Sequence, residues 1–496
     1  MSHNLRPKRG VPALTLGVAV LFTAHALYNG RSEDIFSVKN RPPRLTLNDA
    51  VKTWNMDGNC PGCRDPIIVI ASGGASRAAY VTGSVLGLLR DERVLGEQFK
   101  KRLFAVSATS GGAVGAAFYV AADISAGPCK DESAYDDAKH GLWFEPTKEN
   151  LLGLRDESIQ TGWRRCLELL AVDDFLSPTL LSMAFSDWNA GDRAGVLRQA
   201  WNESAKSQLG RSALEDGFLN DVTSVETSWR PMLLFNAASV FEGRRVVISQ
   251  LAHQYEVKGE ARRELFPTAI DFYTQYAGNN LDRDISLGMA ASLSSRFPVV
   301  SAEEVMPSGD RLVDGGYVDY SGAVTALELL RAFNDVSPDL KPIVILITND
   351  PKEHLPINDD CRMSHPESSD FQLNVLQKLV GVLAVPWEAA SNARTGKGQQ
   401  DLFDLCRFMQ TREGDHGKRL IHFYVGPLVK EGSRVHTAED EKQRARQAGD
   451  LTMSWWLSKP VQDYLHGRID AQREAGVTRL RNLLGIEQAA SDNATP

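Results

Sequence analysis

The chain has 496 residues, 43% of them apolar and 24% charged, which is ordinary globular composition. A formal net charge of −8 and a pI near 5.8 supply no basic surface for phosphates, which argues against a nucleic-acid partner. The length suits two or three domains, or one α/β enzyme with insertions.

Arg6, Lys8 and Arg9 precede an uncharged stretch from Gly10 to Gly30, whose apolar part is Val11 to Leu27. A cationic start followed by an apolar run reads as an export signal or a signal anchor. These 21 residues are long enough to cross about 30 Å of hydrocarbon as a helix. An uncleaved transmembrane anchor is therefore expected, with the N-terminus cytoplasmic and the remainder extracytoplasmic. The alternatives are cleavage near Ala24-His25-Ala26, leaving a secreted or periplasmic protein, and a buried N-terminal helix.

Residues 31–64 are polar and mixed and read as a linker. The six cysteines, Cys60, Cys63, Cys129, Cys166, Cys361 and Cys406, permit three disulfides. Inert thiols are the alternative. A redox role for Cys60-Pro61-Gly62-Cys63 is disfavoured, because the motif precedes a strand instead of opening a helix. No second ligand pair at short spacing supports zinc.

Ile67 to Ala71 is too apolar to alternate and predicts a buried strand. Arg77 to Leu89 follows as a helix, Leu103 to Ala108 as a strand, and Gly111 to Ala122 as a helix. Ile124 to Trp229 lacks strand signals and reads as a helical insertion. Pro231 to Ser239 and Arg245 to Ser249 predict a hairpin about Glu242-Gly243. Leu287 to Leu293 is helical, Arg311 to Val313 a short strand, Ala323 to Phe333 a helix and Pro342 to Thr348 a strand. Leu420 to Val425 reads as the last strand, and Glu439 to Leu457 and Val461 to Leu484 as helices broken at Pro460. Strands alternating with helices make the fold class α/β with a mainly parallel central sheet, a helical insertion and C-terminal helices.

Three places carry chemistry. Ala108-Thr109-Ser110-Gly111-Gly112 presents a serine between small residues where a strand turns into a helix, the setting of a nucleophile elbow. A helix N-cap is the simpler alternative for Ser110. Gly73-Gly74 opens the preceding helix and can aim N–H groups at an oxyanion, with Arg77 behind it as a candidate substrate contact or a surface ion-pair partner. Neither a Gly-x-Gly-x-x-Gly nor a P-loop pattern occurs, which argues against a nucleotide. Asp314, in Val313-Asp314-Gly315-Gly316, ends a strand and could serve as base, although an Asp-Gly pair by itself is a turn signal. Six histidines follow Asp314. None has a recognisable context, and His422 lies within an apolar run.

Taken together, Ser72-Gly-Gly-Ala-Ser-Arg-Ala78, Val106-Ser-Ala-Thr-Ser-Gly-Gly112 and Asp314-Gly-Gly316 resemble the patatin-like phospholipase family and the related cytosolic phospholipase group. Ala290 to Pro298 and the hairpin from Phe235 to Val247 fit the same order. The resemblance spans residues 65–350 and implies a three-layer patatin-like catalytic domain, with an insertion at about 124–229, a C-terminal extension at 351–486 and a frayed tail at 487–496. It further implies a Ser110–Asp314 dyad without histidine, an oxyanion hole from Gly73, Gly74 and Gly111, hydrolysis of phospholipid or related esters through an acyl-enzyme at a membrane surface, and no cofactor or metal. Ala75, Ala78 and Ala108 stand where that family usually has glycine. They motivate an alternative, a catalytically weak patatin fold that serves as a membrane-anchored binding or scaffolding protein. A histidine-assisted α/β-hydrolase is a third reading.

Overall fold

The computed structural model describes residues 35–39, 41–56, 60–125, 127–129, 162–179, 193–219, 229–277, 283–297, 301–349, 361, 396–411, 419–425 and 454–486. In chain order the helices are α1 (Leu47–Trp54), α2 (Ala75–Arg90), α3 (Glu97–Arg102), α4 (Gly111–Ile124), α5 (Trp163–Leu170), α6 (Arg193–Leu209), α7 (Phe272–Tyr276), α8 (Leu287–Ser294), α9 (Ala323–Val336), α10 (396–411) and α11 (Lys459–Leu484). The strands of the central sheet are β1 (Ile67–Ala71), β2 (Leu103–Thr109), β3 (Met232–Ser239), β4 (Arg245–Ser249), β5 (Ile270–Asp271), β6 (Glu304–Val305), β7 (Arg311–Asp314), β8 (Ile343–Ile347) and β9 (Leu420–Phe423). Two-residue ribbons, Val38–Lys39 with Arg283–Asp284 and Gln254–Tyr255 with Arg263–Glu264, lie outside this sheet.

The sheet order is β6-β7-β3-β2-β1-β8-β9, with β4 paired to β3 and β5 to β4. From β3 to β9 all neighbours are parallel, whereas β4 and β7 pair antiparallel with β3. A parallel sheet buries both faces, which is why β1 and β8 are apolar throughout. Successive side chains of a strand nevertheless divide between the faces. Ile67, Val69 and Ala71 join Val106, Ala108 and Ile345 against α2, α4, α5, α6, α8 and α11. Ile68 and Ile70 join Phe104, Leu234, Val344 and Leu346 against α1, α9 and α10. The result is three layers.

The sequence expectations for α2, α4, the β3–β4 hairpin, α8, α9 and β8 agree with this arrangement. Residues 31–64 differ from the expected linker. Thr46 caps α1 by accepting from the Asp49 N–H, and the buried faces of Leu47, Ala50 and Trp54 join the core. The expected helix from Glu439 to Leu457 falls mostly outside the described residues. All six cysteines pair, as Cys60–Cys63, Cys129–Cys166 and Cys361–Cys406. The free-thiol alternative is thereby set aside.

The expected transmembrane helix and single-pass localisation are corrected. No helix among the described residues is long and apolar enough to cross a membrane. The longest, α11, carries eight charged side chains among its 26 residues, and α2 has only 16 residues. Residues 1–30, on which the expectation rested, lie outside the described residues.

A buried ionic cluster fastens α11 to the core. Glu168 accepts from Ser84 Oγ at 2.6 Å, from Arg164 Nε at 3.0 Å, and meets His466 Nδ1 at 2.9 Å. His466 Nε2 also lies 3.2 Å from Asp470, which pairs with Arg164. Burial opposes the imidazolium, but hydrogen bonds to Asp470 and Glu168 outweigh it and push the His466 pKa up to about 9.

Candidate active site

Strand register brings the two candidate reacting groups together. β2 pairs Thr109 with Asn236 of β3, and β7 pairs Asp314 with Ala237, the next residue of β3. The opposite flank of Ala237 is occupied by Val246 of β4. Hence β2 and β7 lie along the same edge of β3, approach from opposite directions and end one residue step apart. Ser110 is the first residue beyond β2 and Asp314 the last of β7, so the pairing alone places them side by side.

The local geometry follows from that junction. Ser110 has φ 55° and ψ −126°, a conformation that costs a non-glycine residue about 1–3 kcal/mol. The surroundings hold it there: its N–H donates to Ser294 Oγ at 2.9 Å, and Ser294 Oγ donates to the Asn236 carbonyl at 2.6 Å. Ser110 Oγ donates to Asp314 Oδ2 at 2.5 Å. It makes no cap bond to α4, so the N-cap alternative is not realised. Asp314 Oδ1 accepts from the Gly316 N–H at 2.7 Å, which fixes the carboxylate. Gly315 must be glycine, because a Cβ there would lie 2.0 Å from the Asn236 carbonyl oxygen. Ser110 is 6% exposed and Asp314 3%, so the pair sits at the floor of the strand ends, largely out of water.

The turn between β1 and α2 approaches from the other side. A Cβ on Gly73 would lie 3.2 Å from the Ser110 Cβ, and Gly74 has φ 145°. Asn349, two residues past β8, holds this turn. Its Nδ2 donates to the Gly73 carbonyl at 2.7 Å and to Ser72 Oγ at 3.0 Å, and its Oδ1 accepts from Arg77 Nε at 3.0 Å. Arg77 is buried against Asn349. It therefore braces the turn, and its burial speaks against the surface ion pair that the sequence also allowed. The three expected oxyanion donors also separate. The Gly73 N–H donates to the Tyr320 carbonyl at 3.0 Å and is spent on the fold. Those of Gly74 and Gly111 stand at the starts of α2 and α4, where helix geometry leaves N–H groups without carbonyl partners. The arrangement thus sets a hydroxyl beside a proton acceptor, with the Gly74 and Gly111 amides at the starts of the two helices that follow β1 and β2.

The alanines respond differently to their places. Ala108 is enclosed in β2 between Ala71 and Phe235, where a methyl group fits. Ala75 has φ 51°, left-handed backbone that costs an L-residue about 1–2 kcal/mol. His422 sits on β9, at the far edge of the sheet, with Nε2 2.9 Å from Thr348 Oγ1. Among the described residues no cluster of three His, Cys, Asp or Glu could hold a metal ion. Sequence reasoning missed Asn349 and Ser294 as parts of the site. A polar side chain just past the apolar strand β8 is a signal that could have found the former.

No family model matches the sequence, and no curated protein matches it. Among solved structures, the chain is similar to VipD from Legionella pneumophila, with 12% identity and a TM-score of 0.26 over 90% of this chain and 73% of that one. It is also similar to human GIVD cytosolic phospholipase A2 bound to methyl γ-linolenyl fluorophosphonate, with 14% identity and a TM-score of 0.37 over 88% of this chain and 62% of that one. The same human protein without that inhibitor matches at 12% identity and a TM-score of 0.34, over 89% of this chain and 66% of that one. The chain thus spans less than two thirds of the human protein's structure. At these scores the chain's own geometry carries the argument.

Proposed function

We propose that the chain is a serine acyl hydrolase that cleaves carboxylic esters of lipids through a Ser110–Asp314 dyad. The observation that carries this reading is the 2.5 Å hydrogen bond from Ser110 Oγ, on a strained strand-to-helix elbow, to a carboxylate with no histidine between them. The lipid character of the substrate comes from the resemblance of the three motifs to patatin-like phospholipases.

In the proposed reaction Asp314 Oδ2 takes the Ser110 proton as Oγ attacks the ester carbonyl carbon. The N–H groups of Gly74 and Gly111 receive the negative charge that develops on the carbonyl oxygen. Asp314 then returns the proton to the leaving alcohol, giving an acyl-enzyme. Water attacks that ester, gives its proton to Asp314 and releases the fatty acid, after which the proton returns to Ser110. Burial of the dyad limits competing solvation of the charges that form.

The test combines labelling by an alkyl fluorophosphonate with hydrolysis of a short-chain ester and of phosphatidylcholine. Wild type should label at Ser110 and hydrolyse both substrates. Ser110→Ala should do neither, and Asp314→Asn should lose roughly 10³- to 10⁴-fold in rate. Activity retained in Asp314→Asn and lost in His422→Ala would instead favour a histidine base. A folded wild type that neither labels nor hydrolyses would support the binding-protein alternative, for which the left-handed backbone at Ala75 is the motivating observation.

A further inference from the structure

Among the described residues the large apolar side chains left exposed are Met56, Val240, Phe241, Val305, Tyr317 and Trp456. Their distribution is one-sided. Val240 and Phe241 form the tip between β3 and β4, beyond the end of β3 at which Ala237 pairs with Asp314. Phe241 is four residue steps from Ala237, the partner of Asp314, or ~13 Å of extended chain. Val305 pairs with Arg311, whose carbonyl accepts from the Val240 N–H. Tyr317 ends the short turn Gly315–Tyr317 that follows Asp314. Trp456 lies two residues from Ser454, whose carbonyl accepts from the N–H of Ser76 in the first turn of α2. All five therefore belong to the end of the sheet where Ser110 lies. Met56 follows α1, whose Trp54 bonds to Lys101 just before β2 begins, so it belongs to the opposite end.

The tip is also built to hold its shape. Asp310 accepts from Ser239 Oγ at 2.7 Å, from Tyr276 Oη at 2.6 Å and from the N–H groups of Phe241 at 3.1 Å and Arg311 at 2.7 Å. Ser239 Oγ accepts in turn from the Glu242 N–H at 2.9 Å. This network fixes a backbone that displays Phe241 at 87% exposure and Val240 at 55%. Trp456, at 46%, stands beside a partner, Trp455, that is buried on Trp201. A surface able to take up these side chains would remove the unfavourable hydration cost of leaving them in water.

We infer that this rim is the docking surface for a lipid–water interface, with Phe241 and Trp456 as anchors on either side of the Ser110 site. The inference rests on the acyl-hydrolase reading. Five exposed apolar side chains are far fewer than the roughly 20–30 residues that each partner of a stable protein interface contributes. A bilayer needs no complementary shape and takes up aromatic side chains at its headgroup boundary. The charges around the tip are matched, Arg244 with Glu242 and Arg311 with Glu303, so the attraction is apolar and does not require anionic lipid.

Sedimentation of the full chain with vesicles of pure phosphatidylcholine tests this, in a Ser110→Ala background so that no lipid is consumed. Binding should persist in 0.5 M salt and fall at least ~10-fold in Phe241→Asp, with a further fall on adding Trp456→Ser. Because the native cysteines are all paired, Phe241→Cys can be labelled with an environment-sensitive dye, whose emission should shift to the blue on vesicles. Absence of the shift, or binding unchanged in Phe241→Asp, overturns the proposal. So does a self-association that Phe241→Asp abolishes without any binding to vesicles, which would assign the rim to a second copy. Fluorophosphonate labelling reports on the chemistry separately: vesicle binding without labelling overturns the hydrolase reading alone, and labelling without binding overturns this one alone.

Discussion

Replacing Asn349 separates the two duties that one side chain performs. Asn349→Ala removes two bonds donated to Gly73 and Ser72 and one accepted from Arg77, at 2.7, 3.0 and 3.0 Å. At about 1 kcal/mol for each neutral bond and 1.5–3 for the one from the guanidinium, the loss is about 3–5 kcal/mol. In a protein of this size that should lower Tm by roughly 5 °C or more. Asn349→Asp keeps an acceptor for Arg77 and gains one for the Ser72 hydroxyl, but loses the bond to the Gly73 carbonyl and turns a carboxylate oxygen toward it. Its stability loss should be smaller. Catalysis should suffer alike in both, because the Gly74 amide loses its support; misplacing one oxyanion donor costs about 10²- to 10³-fold in kcat, with KM changed only a few-fold. Thermal unfolding and short-chain ester kinetics on the two variants provide the comparison. A folded Asn349→Asp with wild-type kcat would refute the assignment of the β1–α2 turn to transition-state binding.

Further outcomes follow from other contacts. Gly315→Ala forces a methyl group against the Asn236 carbonyl, so it should displace Asp314 and cost more than 100-fold in kcat, or fail to fold, and a near-normal rate would remove the close approach from the account. Ser294→Ala leaves the Ser110 N–H without its acceptor and should cost about 1–3 kcal/mol, read by denaturant unfolding, together with slower fluorophosphonate labelling. The folded pKa of His466 is raised above its unfolded value, so its charge stabilises the native state fully below about pH 6.5, and that contribution is lost as pH rises toward 9. Tm should fall across that window, and the fall should flatten in His466→Gln; parallel curves would exclude the Glu168–His466–Asp470 cluster as the source. Replacing Cys129 and Cys166 together by serine opens a link between residues 37 apart and should destabilise by up to ~4 kcal/mol, measured by denaturant unfolding against the oxidised wild type.

The sheet was readable in the sequence because its strands are extreme. The apolar runs of β1 and β8, each followed or preceded by a helical period, permit little except a buried parallel layer. Ser110 and Asp314 were legible for a related reason, since small residues gather where backbone approaches backbone. The supporting contacts were not. Asn349 meets Ser72 and Gly73 across more than 270 residues, and nothing local distinguishes it from any asparagine after a strand. For Arg77 the helical position was visible but its inward rotation onto Asn349 was not. The Gly73 amide was expected to face substrate, and only the course of residues 315–322, which brings the Tyr320 carbonyl beside it, shows otherwise. Helix α1 escaped notice in a polar stretch because just three of its eight residues turn inward.

The meeting of β2 and β7 along β3 has a consequence for how such a protein can change over time. The distance between hydroxyl and carboxylate is set by which rungs of β3 the two strands occupy, and β3 itself contributes no reacting group. Chain inserted between α4 and β3, or between β4 and β7, alters neither rung. A slip of one rung would move a partner by about 3.3 Å and turn its side chain to the other face, ending activity at a stroke. For the proposed hydrolase, chemistry and substrate choice are thereby inherited separately: the ladder transmits the reaction as an all-or-none trait, while the long connections between its rungs are free to be lengthened, shortened or exchanged, and with them the molecules such an enzyme would accept.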